Sequence, residues 1–320
     1  MKSARRLDPT IREVSVFAPA TVANVAVGFD ILGFAVEGLG DTVTLTRVDT
    51  PGVRVVSVEP SLGIPVEPAS NTATAGILQL ISDHGIQSGF EISIQKGIPL
   101  SSGMGGSAAS AVAGLVALNS FLELPLSSME LLHYCVIGES VASGARHADN
   151  VAPGLLGGFQ LVRALDPIDV IPIPVPKNLY CALVHPGLKI ETKTARGILQ
   201  RTVSLKDYVL ATAELAALIS ACHRSDFALI SRSLKDHVIE PQRAAMITGF
   251  YGVKEAAMAA GALGCSISGA GPTVFAWTDG EAAAQKAATA MTEAFTKAGV
   301  RSQGMVSKVG VPGAKVVRKI

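Results

Sequence analysis

The chain has 320 residues, which is enough for two domains, and its 48% content of hydrophobic residues can bury a sizeable core. Charged residues make up only 17%, so the composition excludes an intrinsically disordered chain. The formal net charge of +1 gives no support for a nucleic-acid partner, and no run of about 18 apolar residues free of charge predicts a membrane span.

The N-terminal segment and the cysteines indicate the compartment. No apolar segment follows Arg5 and Arg6, so we expect no secretory signal. The cysteines occur singly in apolar stretches, which predicts buried, reduced thiols at Cys135, Cys181, Cys222 and Cys265. We therefore expect a cytoplasmic protein. The six histidines show no His-x-x-x-His pair, so a zinc site is not expected.

The first third of the chain alternates strands with one helix. Strands are predicted at residues 14–18, 42–48, 53–58 and 90–96, and the second and third of these are predicted to pair. Asn71 is placed to cap a helix that ends near Gly85.

An alanine-rich helix is predicted from Ser107 to Leu122, and Ser127-Ser-Met-Glu130 is a capping-box pattern for a helix that continues to about residue 143. Strands are then predicted at residues 155–163 and 168–173. The proline-spaced stretch 171–176 can be neither helix interior nor central strand, so we place a domain boundary there. The two domains are 1–173 and 174–320.

The second half mixes strands and helices in the same way. Strands are predicted at residues 180–185, 266–267 and 273–277, with two more at the C-terminal end. Helices are predicted across most of residues 192–260 and from about 280 to 297. The chain shows no internal repeat. This order predicts an α+β fold with two layers.

The segment from residue 99 to residue 110 carries the strongest chemical signal. Its candidate nucleotide-binding residues are Pro99, Leu100, Ser101, Ser102, Gly103, Met104, Gly105, Gly106, Ser107, Ala108 and Ala109. The glycines let backbone N–H groups close around an anion, and the helix that starts near Ser107 directs its positive end to the same place. The segment lacks the Gly-Lys-Ser/Thr of a Walker loop. The alternative is a flexible linker between a strand and a helix.

Three segments resemble the GHMP kinases, the superfamily of galactokinase, homoserine kinase, mevalonate kinase and phosphomevalonate kinase. They are Ala18-Pro-Ala-Thr-Val-Ala-Asn-Val-Ala-Val-Gly-Phe-Asp30, the glycine-rich segment 99–110, and Ser266-Ile-Ser-Gly-Ala-Gly-Pro-Thr273. Their order and spacing extend the resemblance over nearly the whole chain. It implies a two-domain GHMP kinase fold, with an N-terminal mixed α/β domain that carries a non-Walker phosphate loop and a C-terminal ferredoxin-like α+β domain.

Further stretches are similar to the homoserine kinase family within this superfamily. These are Asn150-Val-Ala-Pro-Gly-Leu-Leu-Gly-Gly158, Thr192-Lys-Thr-Ala-Arg196 and Glu240-Pro-Gln-Arg243. The loop departs mildly from the family pattern. Ser101 stands where glycine is common, Met104 where leucine is common, and Gly106 where a serine is common. The resemblance implies ATP-dependent phosphorylation of a hydroxyl on a small amino acid, in threonine biosynthesis, by a homodimer.

The resemblance also implies which residues line the amino-acid site: Asn24, Asp30, His147, Asn150, Arg196, Arg243 and Gly269. Asp30 would hold the ammonium group, and the two arginines would bind the carboxylate. Each residue has a simpler alternative. Asp30 would otherwise cap a following helix, Asn24 would satisfy a turn, and His147 would be a surface histidine. The arginines would make surface ion pairs, and Gly269 would belong to a plain tight turn.

Catalysis of phosphoryl transfer needs alignment and charge neutralisation more than covalent chemistry. We expect Ser107 and Glu139 to bind Mg²⁺, and Thr192 or Asn150 to orient the substrate hydroxyl. The alternative for Glu139 is a salt bridge on a helix face. Some relatives use an Asp–Lys pair, but the sequence offers no convincing lysine for it, and the resemblance implies that no strong base is used.

Three other activities remain open from the sequence. The first is a different acceptor, such as mevalonate, shikimate or a cytidyl-diphospho-sugar alcohol. The second is an ATP-dependent decarboxylase, and the third is a non-catalytic sensor of nucleotide and metabolite. Mevalonate has no ammonium group, so it gives no reason for Asp30 beside two arginines. The position of the adenine is also open, with apolar residues at 58–64 and 71–80 as candidates.

Overall fold

The computed structural model of the chain describes residues 4–61 and 63–320, and within those ranges two β-sheets form. The first sheet contains β1 (Glu13–Ala23), β2 (Leu32–Val48), β3 (Gly52–Glu59), β4 (Gly89–Gln95), β5 (Phe159–Leu165), β6 (Ile168–Ile173) and β11 (Lys315–Lys319). The second contains β7 (Leu179–Pro186), β8 (Gly264–Ile267), β9 (Val274–Asp279) and β10 (Ser302–Lys308). The predicted α+β class is confirmed.

The strand order of the first sheet corrects one prediction. Along this sheet the order is β11-β1-β2-β4-β3, with β5 on β2 and β6 on β5. The strands predicted at 42–48 and 53–58 both form, but their pairing is wrong, because β4 lies between them. Strands β3 and β4 are parallel, and helix α1 (Thr72–His84) makes the crossover that parallel strands require.

Three further helices accompany the first sheet: α2 (Gly106–Asn119), α3 (Ser128–Ser143) and α4 (Val151–Leu156). The predicted caps are present. The Oδ1 atom of Asn71 accepts a 2.9 Å hydrogen bond from the N–H of Ala73, and Ser127 and Glu130 form the capping box. The strand predicted from residue 155 begins later, at residue 159. Pro153 is tolerated in the first turn of α4, and Gly157, with φ of 72°, follows the helix.

The remaining helices follow β7: α5 (Thr192–Gly197), α6 (Leu205–Arg224), α7 (Phe227–Ser233), α8 (Glu240–Arg243), α9 (Phe250–Ala259) and α10 (Glu281–Lys297). A 3₁₀ turn, Ala244–Met246, lies between α8 and α9. None of the helices in the described part of the chain combines the length and the apolar character that crossing a bilayer would require.

Helix α2 is buried on nearly all sides, between the first sheet and helices α1 and α3. Its small residues permit this close approach, because a helix that is apolar all round has to be covered by protein. The N-terminus of α2 reaches the edge of this packed layer. That edge is where the glycine-rich segment leaves β4 and enters the helix.

Four aromatic rings join the two sheets. Phe34 and Phe159 come from the first sheet, and Phe275 and Trp277 come from β9 of the second. The Phe34 ring centroid lies 6.2 Å from that of Phe159 and 5.6 Å from that of Trp277, and all four side chains are buried. The division at residues 173 and 174, which lies between β6 and β7, stays a prediction. Strand β11 pairs with β1 and so belongs to the first sheet.

We expect Phe34→Ala to lower the free energy of unfolding by about 3–5 kcal/mol, because it leaves a cavity in this aromatic joint. Trp277 is the chain's single tryptophan and is fully buried, so its fluorescence follows the loss of the joint during urea unfolding. Leu124→Ala is the control, since Leu124 is 75% exposed. An unchanged unfolding midpoint for Phe34→Ala would contradict this role.

Candidate active site

A cleft of about 530 Å³ gathers residues from distant parts of the sequence. Ten of the predicted site residues line it: Asn24, Asp30, Ser107, Glu139, His147, Asn150, Thr192, Arg196, Arg243 and Gly269. Most of the glycine-rich segment lines it as well. The side chains of Met104, Ala108 and Ala109 are instead buried in the core, where they anchor the loop and the first turn of α2.

The N-terminus of α2 opens onto this cleft. Gly105 precedes the helix in the left-handed conformation, and among the described residues no side chain caps this end. The first backbone bond of the helix runs from the N–H of Ala109 to the carbonyl of Gly105. The N–H groups of residues 106–108 therefore have no acceptor within the helix, which makes this end a site for an anion. Ser101, where glycine is common in the family, also has a positive φ of 53°.

The turn Gly269–Pro272, expected to approach a phosphate or the substrate through its backbone, packs against the glycine-rich loop. The hydroxyl of Ser268 donates a 2.7 Å hydrogen bond to the carbonyl of Gly103, and the N–H of Thr273 donates to that of Ser102. A Cβ atom on residue 103 would lie 2.5 Å from the carbonyl oxygen of Ser268. Only glycine permits this contact between the two loops.

Ser107 and Glu139 meet at the same end of α2. The hydroxyl of Ser107 donates a 2.9 Å hydrogen bond to Oε1 of Glu139. Burial raises the pKa of Glu139 to about 7, and the bond from Ser107 lowers it in part. The nearby Asp149 raises the Glu139 pKa further, whereas Lys96 lowers it. A hydroxyl and a carboxylate thus lie side by side at the N-terminus of α2.

Asp30 and Arg196, which also line the cleft, form a bidentate ion pair. The two Nη atoms of Arg196 lie 2.9 and 2.7 Å from the two carboxylate oxygens of Asp30. The Nδ1 atom of His147 lies 3.8 Å from Asp30. Burial lowers the pKa of His147, although Asp30 acts in the opposite direction. We therefore treat His147 as neutral at pH 7.

Arg243 completes a pair of guanidinium groups. It donates to the carbonyl oxygens of Ala195, at 3.2 Å, and Gly269, at 3.1 Å. Burial lowers the pKa of Arg243, and the like charge of Arg196 lowers it further. The Phe29 ring contacts both arginines, with its centroid 5.3 Å from Cζ of Arg196 and 5.2 Å from Cζ of Arg243. This cation–π contact offsets part of their repulsion. The sequence analysis did not single out Phe29.

Asn24 sits in a left-handed turn. Asn24, Val25 and Ala26 have φ angles of 69°, 45° and 58° in succession, and Asp30 has 64°. Such conformations are costly for residues other than glycine and are retained where the surroundings fix them. The Asn24 side chain holds this turn in place. It accepts a hydrogen bond from the N–H of Asp30 at 3.0 Å and donates one to the carbonyl of Gly269 at 2.7 Å. No helix follows Asp30, so the helix-cap alternative is wrong.

A buried ion pair beneath the loop was missed. The ammonium group of Lys96 contacts the carboxylate of Asp41 and donates to the carbonyl of Gly106 at 2.8 Å and to the hydroxyl of Ser110 at 2.9 Å. The expectation that no Asp–Lys pair acts as a base stays a prediction, and the sequence analysis had not named Lys96. Its position at the end of an alternating strand was the available signal. Lys96 fastens the first turn of α2 to the end of β4.

Asp149 was missed as well, although its neighbour Asn150 was predicted. It lines the cleft and is buried, and burial raises its pKa to about 7, with Asp30 adding to the effect. Within residues 4–61 and 63–320, no three His, Cys, Asp or Glu side chains form a group that could hold a metal ion. The acidic residues of the cleft therefore do not form a metal centre by themselves.

We expect Asp149→Asn to stabilise the protein increasingly as the pH rises. The unfolded carboxyl group loses its proton near pH 3.8 and the folded one near pH 7, so the folded state binds more protons between these values. The stability from this difference is full below pH 3.8 and lost above pH 7. The free energy of unfolding of the variant should exceed that of the original protein by about 2–4 kcal/mol at pH 8, and by much less at pH 4.5.

Urea unfolding at the two pH values measures this effect. Asp49→Asn, at an exposed position, is the matched control and should change the free energy of unfolding little at either pH. A gain for Asp149→Asn that stays constant with pH would contradict the assignment of a buried, costly charge.

Comparison with known proteins agrees with this geometry. Models of the GHMP kinases N-terminal domain and C-terminal domain match residues 71–158 and 218–297. A homoserine kinase of Xylella fastidiosa (strain M12) is 46% identical over 98% of this chain and 97% of its own length. One of Chlorobium phaeobacteroides (strain BS1) is 45% identical over 96% of this chain and all of its own.

The crystal structure of homoserine kinase from Cytophaga hutchinsonii superimposes with a TM-score of 0.94 at 44% identity, covering 98% of this chain and 99% of that one. The resemblance proposed from the three motifs is thereby confirmed. The fold, the two family domains and the full-length similarity show that the chain belongs to the GHMP kinases and, within them, to the homoserine kinase family.

Proposed function

We propose that the chain transfers the γ-phosphoryl group of ATP to the hydroxyl of L-homoserine, giving O-phospho-L-homoserine and ADP for threonine biosynthesis. One observation carries the proposal. A single cleft places the uncapped N-terminus of α2 beside a pocket in which the Asp30 carboxylate lies against the Arg196 guanidinium group, with Arg243 close by. The first feature suits a phosphate, and the second suits an amino acid with its two opposite charges.

The nucleotide would lie along the glycine-rich loop. Backbone N–H groups of residues 106–108 would donate to its phosphate oxygens. The cleft wall also has an apolar part formed by Ile64, Pro65, Val141 and Ala142, and we place the adenine there. Ile64 belongs to the first of the two ranges considered from the sequence.

Ser107 and Glu139 fit a magnesium ion. Mg²⁺ prefers oxygen ligands, and it commonly uses one or two protein groups and completes its shell with phosphate oxygens and water. The adjacent hydroxyl and carboxylate provide such a pair without a larger acidic cluster. When bound, the ion neutralises charge on the phosphate groups. A nearby cation would also favour the ionised form of Glu139, whose burial otherwise favours the protonated form.

The acceptor site would use the Asp30, Arg196 and Arg243 side chains. Asp30 would bind the ammonium group of homoserine, and the arginines would bind its carboxylate. Asn24 and the neutral His147 would add hydrogen bonds. Thr192 and Asn150 would orient the hydroxyl toward the phosphate groups, so that alignment and charge neutralisation provide most of the barrier reduction.

Two properties follow as parts of the proposal. We place the enzyme in the cytoplasm, in keeping with a biosynthetic reaction and with four cysteines that are buried and free. We also propose that it works as a homodimer, because the resemblance to the family implies this state.

A panel of alcohols tests the acceptor. ADP release from ATP and Mg²⁺ should depend on L-homoserine, with mevalonate and shikimate giving less than about 1% of that rate, because neither carries an ammonium group for Asp30. Carbon dioxide release in the same assay would indicate a decarboxylase. Binding of nucleotide and L-homoserine without ADP formation would indicate a sensor, and either result would overturn the proposal.

Glu139→Gln tests the proposed metal ligand. We expect kcat to fall at least about 100-fold, because a neutral amide cannot replace the carboxylate beside a divalent cation. The circular dichroism spectrum should not change. Glu91→Gln is the matched control, since Glu91 makes a surface ion pair with Arg54 on β3 and should leave kcat within about twofold. Near-normal turnover of Glu139→Gln would remove Glu139 from the mechanism.

A further inference from the structure

Thr21 makes contacts that connect the two halves of the cleft. It lies on β1, and its side chain is buried. Its hydroxyl donates a 2.7 Å hydrogen bond to Oδ1 of Asn150, which starts α4 at a distance of 129 residues in sequence. Its backbone N–H donates a 3.1 Å bond to the carbonyl of Met104 in the glycine-rich loop. One residue therefore holds both the phosphate loop and a residue of the acceptor site.

The local backbone directs Thr21 to this position. The pairing of β1 with β2 shifts its register between Pro19 and Thr21, and such a bulge changes the direction of the side chains that follow it. The Thr21 hydroxyl and the Asn150 oxygen both face the Cα atom of Gly105. A Cβ atom on residue 105 would lie 2.1 Å from the first and 2.8 Å from the second.

The bond from Thr21 determines which end of the Asn150 amide serves the cleft. An asparagine side chain has an oxygen that accepts hydrogen bonds and a nitrogen that only donates them. Because the oxygen accepts from the Thr21 hydroxyl and Asn150 lines the cleft, the NH₂ group is the end that remains to donate to a ligand. A donor at this place would bind a lone pair of the acceptor hydroxyl and leave another lone pair to attack phosphorus.

We propose that Thr21 is a positioning residue for the phosphoryl transfer. It sets the orientation of the Asn150 amide and fixes its distance from the phosphate loop. Thr21 itself is not among the residues that line the cleft. This inference rests on the proposed function, because it takes Asn150 as the residue that orients the substrate hydroxyl.

The test compares Thr21→Val, which replaces the hydroxyl with a methyl group of similar size, with Thr21→Ser, which retains the hydroxyl. We expect Thr21→Val to lower kcat about 10- to 100-fold, because loss of orientation affects the transfer step more than binding. The KM values for ATP and L-homoserine should stay within about threefold. Thr21→Ser should recover kcat to within about threefold of the original enzyme.

Thr44→Val is the matched control. Thr44 lies on β2, where its hydroxyl bonds to that of Ser15 at 2.8 Å, away from the cleft. The control should keep the original kcat. Should Thr21→Val not fold, as judged by Trp277 fluorescence, Thr21→Ala replaces it with the same expectation. An unchanged kcat, a Thr21→Ser variant as impaired as the valine one, or an effect on the KM values alone would overturn the inference.

A second measurement separates this inference from the proposed function. If the original enzyme does not phosphorylate L-homoserine, the proposed function fails, and a crystal structure of Thr21→Val decides the inference without any substrate. An Asn150 amide that is rotated or spread over several rotamers would support the inference. An amide that keeps its position and its distance from Gly105 would overturn it.

Discussion

The N-terminus of α2 is the constraint on which the rest of the site depends. The helix is apolar on nearly all sides and is therefore buried, so its direction is set by packing against the first sheet and helices α1 and α3. Its first N–H groups then lie at the cleft and, within the described part of the chain, lack a side-chain cap. The Lys96–Asp41 pair holds the first turn of α2 through the carbonyl of Gly106. The absence of side chains at Gly103 and Gly105 lets neighbouring segments pack closely against the loop.

The charged groups of the cleft reduce the stability that the core provides. Burial raises the pKa values of Glu139 and Asp149 to about 7, which means that their ionised forms are costly in the folded protein. The left-handed turn that begins at Asn24 adds backbone strain. Such costs are common where a protein must present charge to a ligand, and the apolar helix and the aromatic joint offset them.

The sequence predicted local features better than it predicted contacts. The capping box at Ser127, the cap at Asn71 and the glycine-rich loop depend on residues a few positions apart, so their patterns are visible in one segment. The residues of the cleft that are distant in sequence were predicted only from the resemblance to a known family. The Lys96–Asp41 pair spans 55 residues and the Thr21–Asn150 bond spans 129, and no local pattern reports either. The position of β4 between β2 and β3 was missed for the same reason, since the chain reaches β4 from the parallel strand β3 only after helix α1.

The turn at Gly103 and the turn at Ser268 meet through the Ser268 hydroxyl, a backbone bond from Thr273 to Ser102 and close main-chain packing around Gly103. The part of the cleft suited to a phosphate donor is thus defined by the path of the main chain, whereas the part suited to the acceptor is defined by side chains such as Asp30 and Arg243. Substitution of a few acceptor-site side chains can therefore change which alcohol binds, while the main-chain path of the glycine-rich loop stays the same.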